Sequence, residues 1–184
     1  VFRTANDGVT WTEEQELPGS SIDSAFGQAV AISGSTAVVT AHQENAGGFQ
    51  TGAAYAYAFD GGTSSWESQG MLTASDAYPG DLFGWAASMS DDLLVISSVK
   101  DDDGGDGSGS AYVLKDLNGA GSWNHQQKLT ASDFNDQDHF GTAVAISDDI
   151  IVVGAPEDDD NSFTDSGSVY VYGSTDGGVV WTQN

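Results

Sequence analysis

Apolar residues in this chain come in short runs with a two-residue alternation, separated by stretches rich in Gly, Ser, Thr and Asp. The run Phe26-Gly27-Gln28-Ala29-Val30-Ala31-Ile32-Ser33 is followed, after a short polar turn, by Ala37-Val38-Val39. Two runs joined so closely predict a tight hairpin. A polar, Gly-containing loop comes next, then a small-aromatic alternation from Gly52 to Phe59 that puts Tyr55, Tyr57 and Phe59 on one strand face. A Gly-rich turn leads into a Trp-led strand from Trp66 to Thr73, the fourth of the set. No 3.6-residue apolar stripe is sustained, so the pattern predicts strands and gives helix no support.

The same set recurs. Phe83-Gly84-Trp85-Ala86-Ala87-Ser88-Met89-Ser90 and Phe140-Gly141-Thr142-Ala143-Val144-Ala145-Ile146-Ser147 follow the first run at a spacing of 57 residues. Leu93 to Ile96 and Ile150 to Val153 repeat the second strand, Gly109 to Leu114 and Gly167 to Tyr172 the third. The fourth recurs at Trp123 to Thr130 and, in part, at Trp11 to Leu17 and from Trp181. Four short antiparallel strands at this period predict an all-β fold of β-propeller-type blades, about three in tandem, whose faces are buried only by neighbouring blades. The Phe-Gly, Tyr and Trp positions are then inter-blade core. Residues 1–17 are read as strands 3 and 4 of a preceding blade, with blades at 18–74, 75–131 and 132–184, the last strand truncated. Val1-Phe2 aligns with Val171-Tyr172, and Trp11 with Trp181. Three blades fall short of the usual ring of four to eight, so the expectation is part of a larger propeller, or an assembly in which copies complete one another.

At these residues the sequence resembles the FG-GAP repeat family, known from integrin α-subunit propellers and from large secreted or surface proteins of microbes. The microbial surface-protein subtype is the better likeness. Leu72-Thr73-Ala74-Ser75-Asp76 leading to Asp81-Leu82-Phe83-Gly84, and Lys128-Leu129-Thr130-Ala131-Ser132-Asp133 leading to Asp138-His139-Phe140-Gly141, look like its inter-blade linker. Gly154-Ala155-Pro156 matches the second half of the family's name, while Thr40-Ala41-His42 and Ser97-Ser98-Val99 stand in its place in the other repeats. The resemblance implies an extracellular or cell-surface module. Integrin-type blades hold calcium in a loop between the first and second strands. Here that turn is Ser33-Gly34-Ser35-Thr36, Ser90-Asp91-Asp92 or Ser147-Asp148-Asp149, too short to wrap a cation, so that site does not carry over.

Charge narrows the partners. Four basic residues, Arg3, Lys100, Lys115 and Lys128, against 28 acidic ones give a formal charge of −24. Such a surface repels phosphate backbones and anionic headgroups and attracts cations, so nucleic acid is excluded as an expected partner. The chain has no cysteine, which removes disulfides, thiolate metal sites and a Cys nucleophile. No apolar run approaches the roughly 18 residues of a membrane span, and Val1 opens no charged-then-apolar leader. The expectation is a soluble, mature or excised segment with no membrane insertion.

The acids gather in the loop after the second strand: Asp101-Asp102-Asp103-Gly104-Gly105-Asp106 in one repeat, Glu157-Asp158-Asp159-Asp160 with Asp165 in another. Carboxylates on a Gly-bent backbone suit calcium, a hard cation needing several oxygens. Asp101, Asp103, Asp106, Asp158, Asp160 and Asp165 are therefore the candidate ligands and Ca2+ the candidate cofactor. The plainer alternative is a solvated loop tip, and the first repeat supports it, since Gln43 to Gly48 contains only Glu44. The linker acids Asp76, Asp81, Asp133, Asp136 and Asp138 form a second set, with capping of loop amides as the competing role. Ser174-Thr175-Asp176-Gly177-Gly178-Val179-Val180-Trp181 resembles the Asp-box of sialidase-like propellers, and Thr4-Ala5-Asn6-Asp7-Gly8-Val9-Thr10-Trp11 nearly so. The predicted role of such a box is structural: the Asp holds its own turn while the Trp packs beneath.

Catalysis finds no support. Arg3 is the sole arginine, so the arginine cluster of sialidase chemistry is missing, and His42, His125 and His139 occupy unrelated places in the repeat. No P-loop lysine motif and no nucleophile elbow occurs. The leading reading is a non-catalytic adhesion or matrix module that binds protein or glycan at the cell surface, with calcium stiffening its loops. The alternatives are a structural subunit that docks through open blade edges with further copies or flanking blades, and an accessory glycan-binding domain of a larger enzyme.

Overall fold

The computed structural model describes residues 1–4, 8–19, 21–117, 119, 121–159 and 163–184. All regular structure among them is β. A short ribbon of β1 (Phe2–Arg3) and β2 (Thr12–Glu13) precedes three four-stranded antiparallel sheets. The first blade holds β3 (Phe26–Ser33), β4 (Thr36–Ala41), β5 (Ala53–Asp60) and β6 (Ser65–Leu72). The second holds β7 (Phe83–Ser90), β8 (Leu93–Ser98), β9 (Ser110–Asp116) and β10 (Trp123–Leu129). The third holds β11 (Ala143–Ser147), β12 (Ile150–Ala155), β13 (Ser168–Ser174) and β14 (Trp181–Gln183). Strand order within each sheet follows chain order, as an up-and-down blade requires.

The blades stack through alternating strand faces. Leu94 and Ile96 of β8 point toward the first blade and join Val38, Ala54 and Ala56 in one buried cluster. Leu93 and Val95, one residue out of phase, point the other way and join Ile151, Val153 and Tyr172 of the third blade. The two-residue period thus makes the second sheet core on both sides, which explains why β8 is buried along its whole length. Phe83 and Phe140 are fully buried and lie edge-on or tilted against Tyr112 and Tyr170 at 5.5 and 5.4 Å. Each such ring contributes about 2–3 kcal/mol by leaving water. Phe26 meets Tyr55 in the same way at 5.6 Å but is only partly buried.

The Phe-Gly pair acts as a joint between blades. Phe83 N–H donates to the Thr51 carbonyl at 3.1 Å, and Phe140 N–H to Ser108 at 2.9 Å. The residue that follows each carbonyl is Gly52 or Gly109, at φ +81° and +82°, where a Cβ would collide with the Phe83 or Phe140 carbonyl oxygen. Only glycine lets the backbones meet there. A second joint uses an amide: Gln15 Oε1 accepts from Trp66 N–H at 2.7 Å and its Nε2 donates to Trp66 O at 3.2 Å. Gln127 does the same to Trp181 at 2.7 and 2.9 Å.

The third blade departs from the repeat. In the first two, the start of the leading strand bulges, and a hydroxyl on the second strand holds the bulge: Thr40 Oγ1 accepts from Ala29 N–H at 2.9 Å and Ser97 Oγ from Ala86 N–H at 3.0 Å. The matching residue in the third blade is Gly154, which has no hydroxyl to offer, and β11 begins only at Ala143, three residues after Phe140. Each outer face of the stack is at least partly bare. Val30 and Ile32 on one side, and Ile150, Val169 and Val171 on the other, are exposed aliphatics at positions that are covered between blades.

Candidate functional site

The linker entering each blade folds beneath the loop that joins that blade's second and third strands. In the second blade this sets Asp76 beside Asp101, although 25 residues separate them in the chain. Tyr112, projecting from β9, places its hydroxyl 2.7 Å from Asp76 Oδ1 and 2.7 Å from Asp101 Oδ2. Ser110 Oγ donates to Asp101 Oδ2 at 2.8 Å. One phenol proton serves one carboxylate at a time, so the charges need a cation. Lys128 of β10 supplies it, its Nζ lying 2.8 Å from Asp76 Oδ2, 2.8 Å from Asp101 Oδ2 and 2.6 Å from Asp103 Oδ2. The side chains of Asp76, Asp101, Asp102 and Asp103, with Tyr78 and Asp81, line a cavity of about 270 Å³.

Titration follows from these contacts. Burial pushes the Asp76 carboxyl up, but the Lys128 ammonium and the Tyr112 hydroxyl outweigh it and hold the group below the usual carboxylate range. Burial alone would lower Lys128; the hydrogen bonds it donates to Asp101, Asp103 and Asp76 raise it instead, fixing it as a cation. Tyr112 is raised, first by burial and then by Asp101, so it stays a phenol. Asp81, buried one step along the linker, rises to about 6 through desolvation and the charges of Asp101 and Asp102, against the Tyr78 N–H that bonds its Oδ2 at 2.7 Å.

The third blade rebuilds the tyrosine with its two aspartates. Tyr170 puts its hydroxyl 2.8 Å from Asp133 Oδ1 and 3.0 Å from Asp158 Oδ1, and Ser168 donates to Asp158 Oδ2 at 2.5 Å. Among the described residues, no lysine or arginine pairs with Asp133 or Asp158. In the first blade Gly19 stands in the place of the linker aspartate and Met71 in that of Lys128, and Tyr55 donates to Glu44 Oε2 at 3.2 Å.

Of the predicted ligands, Asp101 and Asp103 come together, and their third partner is Asp76 from the linker: one oxygen of each lies within 4.8 Å of the others. Such a trio suits a hard cation, and here Lys128 occupies it; a metal would have to displace that ammonium. Asp106 works through its backbone, with N–H bonded to Asp136 Oδ1 at 3.0 Å and carbonyl accepting from Gln137 N–H at 2.7 Å. Asp158 belongs to the third-blade cluster, Asp165 gives its N–H to Asp159 Oδ1 at 2.8 Å, and Asp160 lies outside the described residues. The linker acids divide. Asp81 and Asp138 cap Tyr78 and Asn135 N–H, as the capping role predicts, while Asp76 and Asp133 face the tyrosines.

The Asp-box is a structural knot. Asp176 Oδ1 accepts from Val179 N–H at 3.1 Å, Val180 N–H at 2.9 Å and Ser174 Oγ at 2.9 Å, and Trp181 Nε1 donates to Gly178 O at 3.2 Å beneath it. The earlier near match includes residues 5–7, outside the described residues. The histidines remain apart: His42 lies edge-on to Trp85, His125 Nε2 is 2.9 Å from Thr73 O, and His139 Nδ1 is 2.9 Å from Glu157. Among the described residues, no helix is long and apolar enough to cross a membrane.

Comparison with known proteins follows the repeat. The FG-GAP repeat family model matches three times, over residues 11–57, 66–114 and 123–172. No curated protein matches by sequence. Among solved structures, Sqt1 of Saccharomyces cerevisiae superposes with a TM-score of 0.53 at 13% identity over 88% of this chain, which spans 35% of Sqt1. The computationally designed Ika4 protein gives 0.54 at 17% identity, covering 88% of this chain and 72% of Ika4. At these identities the likeness is one of fold.

Proposed function

Because the chain belongs to the FG-GAP repeat family, we propose that it is a non-catalytic extracellular binding or scaffold module. Repeats of this family are typical of extracellular or surface proteins, are in general non-catalytic and often bind calcium or other proteins. The units are taken as 1–17, 18–74, 75–131 and 132–184, with protein or glycan ligands at a cell surface or matrix held on the loops that blade stacking leaves free. The carrying observation is the pair of loop clusters, Asp76–Tyr112–Asp101 and Asp133–Tyr170–Asp158, in which a linker and a loop carboxylate meet at a tyrosine. In this reading calcium binds where these carboxylates converge. A thermal melt with calcium, magnesium or chelator tests it. Binding to the folded state raises the midpoint, by the equivalent of about 2.7 kcal/mol at a hundredfold excess over Kd. Asp158→Asn should abolish the rise and Asp106→Asn leave it intact; a calcium effect no larger than that of magnesium removes calcium from the reading.

The bare outer faces support a second reading, a structural subunit that docks with further copies or flanking blades. Sedimentation at rising concentration separates the two, since a monomer throughout overturns self-docking.

A further inference from the structure

The two seams between blades are fastened unequally. At the loop end they match: Gly80, Leu82 and Phe83 donate main-chain N–H groups to Phe49, Gln50 and Thr51 across the first seam, and Gln137, His139 and Phe140 to Asp106, Gly107 and Ser108 across the second. Along the sheets they differ. Between the second and third blades Ser88 Oγ accepts from Ile146 N–H and Ser90 Oγ from Asp148 N–H, each at 3.1 Å, Lys115 Nζ donates to the Gly177 carbonyl, Gln127 clamps Trp181, and Tyr172 Oη donates to the Thr130 carbonyl at 2.6 Å. Between the first and second blades, Ala31, Ala58 and Gly70 stand where the second blade has Ser88, Lys115 and Gln127, and Leu114 holds the register position of Tyr172. None of these offers a side-chain donor or acceptor, and only Ser90 keeps its like, in Ser33. At φ +125° Gly70 would also strain any glutamine placed there. His125 Nε2, 2.9 Å from Thr73 O, spans this seam where β6 leaves the sheet.

The first seam also collects the polar atoms that folding leaves unpaired. Among the described residues, the buried side-chain atoms without a hydrogen-bond partner are His42 Nδ1, Ser98 Oγ and Trp123 Nε1. All of them belong to this seam. The His42 ring lies edge-on to Trp85 of the second blade at 5.2 Å, Ser98 is in phase with Leu94 and Ile96 on β8, and Trp123 packs on the cluster that those two form with Val38 and Ala54. The matching indoles are satisfied, Trp66 Nε1 by Glu14 and Trp181 Nε1 by Gly178. A buried polar group without a partner has given up its hydration for nothing, and water that enters an opened seam restores it.

We infer that the stack opens at the seam between its first and second blades, the first blade swinging away from a second and third that move as one body. The main-chain joints at the loop end are common to both seams, so they do not choose between them. What chooses is the set of side-chain bonds that only the second seam has, together with the unpaired atoms that only the first seam carries. The loops of the second and third blades, with their tyrosine–aspartate clusters, then keep a fixed relation, while the first-blade loop with Glu44 and Tyr55 moves against them. The inference depends neither on calcium nor on docking with further copies.

The chain has no cysteine, so a single introduced thiol reports on one seam. Leu94 and Val95 are neighbours on β8 and wholly buried, Leu94 facing the first blade and Val95 the third. Iodoacetamide labelling of the folded whole chain, followed by mass, should modify Leu94→Cys at least about tenfold faster than Val95→Cys. Leu114→Cys and Val113→Cys, which face the same two ways on β9, give the comparison again if a β8 variant fails to fold. Adding Ser88→Ala and Gln127→Ala to Val95→Cys should bring its rate to within about threefold of Leu94→Cys. Equal rates on the two faces, or faster labelling at Val95→Cys, overturn the inference. A Val95→Cys rate untouched by the loss of Ser88 and Gln127 overturns their part in holding the second seam shut.

Discussion

The loops of the second and first blades share a tyrosine that donates to an acidic side chain and differ in the charges around it. In the second, Lys128 reaches Asp76, Asp101 and Asp103 and closes the charge internally. In the first, Gly19 and Met71 stand where the second has Asp76 and Lys128, and Tyr55 donates to Glu44. One framework thus supports a cluster with an added acid and an added cation, and one with neither. A buried carboxylate costs heavily unless paired, so the difference between these loops is one of stability as well as of binding.

Several substitutions test this comparison, from the largest effect to the smallest. Lys128→Met, copying Met71 of the first blade, leaves Asp101 buried beside two other acids. It should cost about 2–3 kcal/mol and lower the melting midpoint by about 5–10 °C, with part of the loss recovered by calcium. An unchanged melt would mean that the ammonium is not what holds the trio. Tyr112→Phe should cost about 2 kcal/mol, the value of a hydrogen bond to a charged partner, and Tyr170→Phe, in the more open cluster, about 1 kcal/mol. Equal losses in chemical denaturation would mean that the burial of the hydroxyl does not set the strength of its bond. Ser97→Gly gives the second blade the residue of the third, Gly154. It should cost about 1 kcal/mol and speed hydrogen exchange at Ala86, whose N–H then loses its partner.

The pH profile sharpens the contrast most gently. Asp81, raised to about 6 in the folded chain from the ordinary aspartate value of 3.8, binds a proton on folding between these two values. Its contribution is fully present below about 3.8 and lost as pH rises through 6, so stability should climb as pH falls from 7 toward 5. Asp76 runs oppositely, being depressed, and its contribution disappears as pH falls through the acid range below 3.8. Urea midpoints between pH 4 and 8 should show the climb, and Asp81→Asn should flatten it; a wild-type profile that stays flat would contradict the raised value.

The blades were legible because their signal is local and repeated: Phe83 and Phe140 recur in register, and the unbroken apolar run from Leu93 to Ile96 tells that both faces are covered. Asp101 and Asp103 were legible as acids on a bent loop. Lys128 was not, because a lysine in a polar strand reads as solvent-facing, and only the fold brings it to Asp76, which comes from the linker 52 residues earlier. Tyr112 and Tyr170 carried a usable clue in their shared place in the repeat, but the same alternation marks them as core, and both roles are true. The late start of β11 was hidden in Gly154, whose missing hydroxyl matters only once Thr40 and Ser97 are seen holding bulges.

The glycine joints have a consequence for how the protein comes apart. Since Thr51 is bonded to Phe83 and Ser108 to Phe140, the middle sheet cannot loosen without straining both neighbours, whereas either end sheet can peel away alone. Denaturation should therefore fray inward from the termini, and the last amides to exchange with deuterium should be those of Leu93 to Ser98.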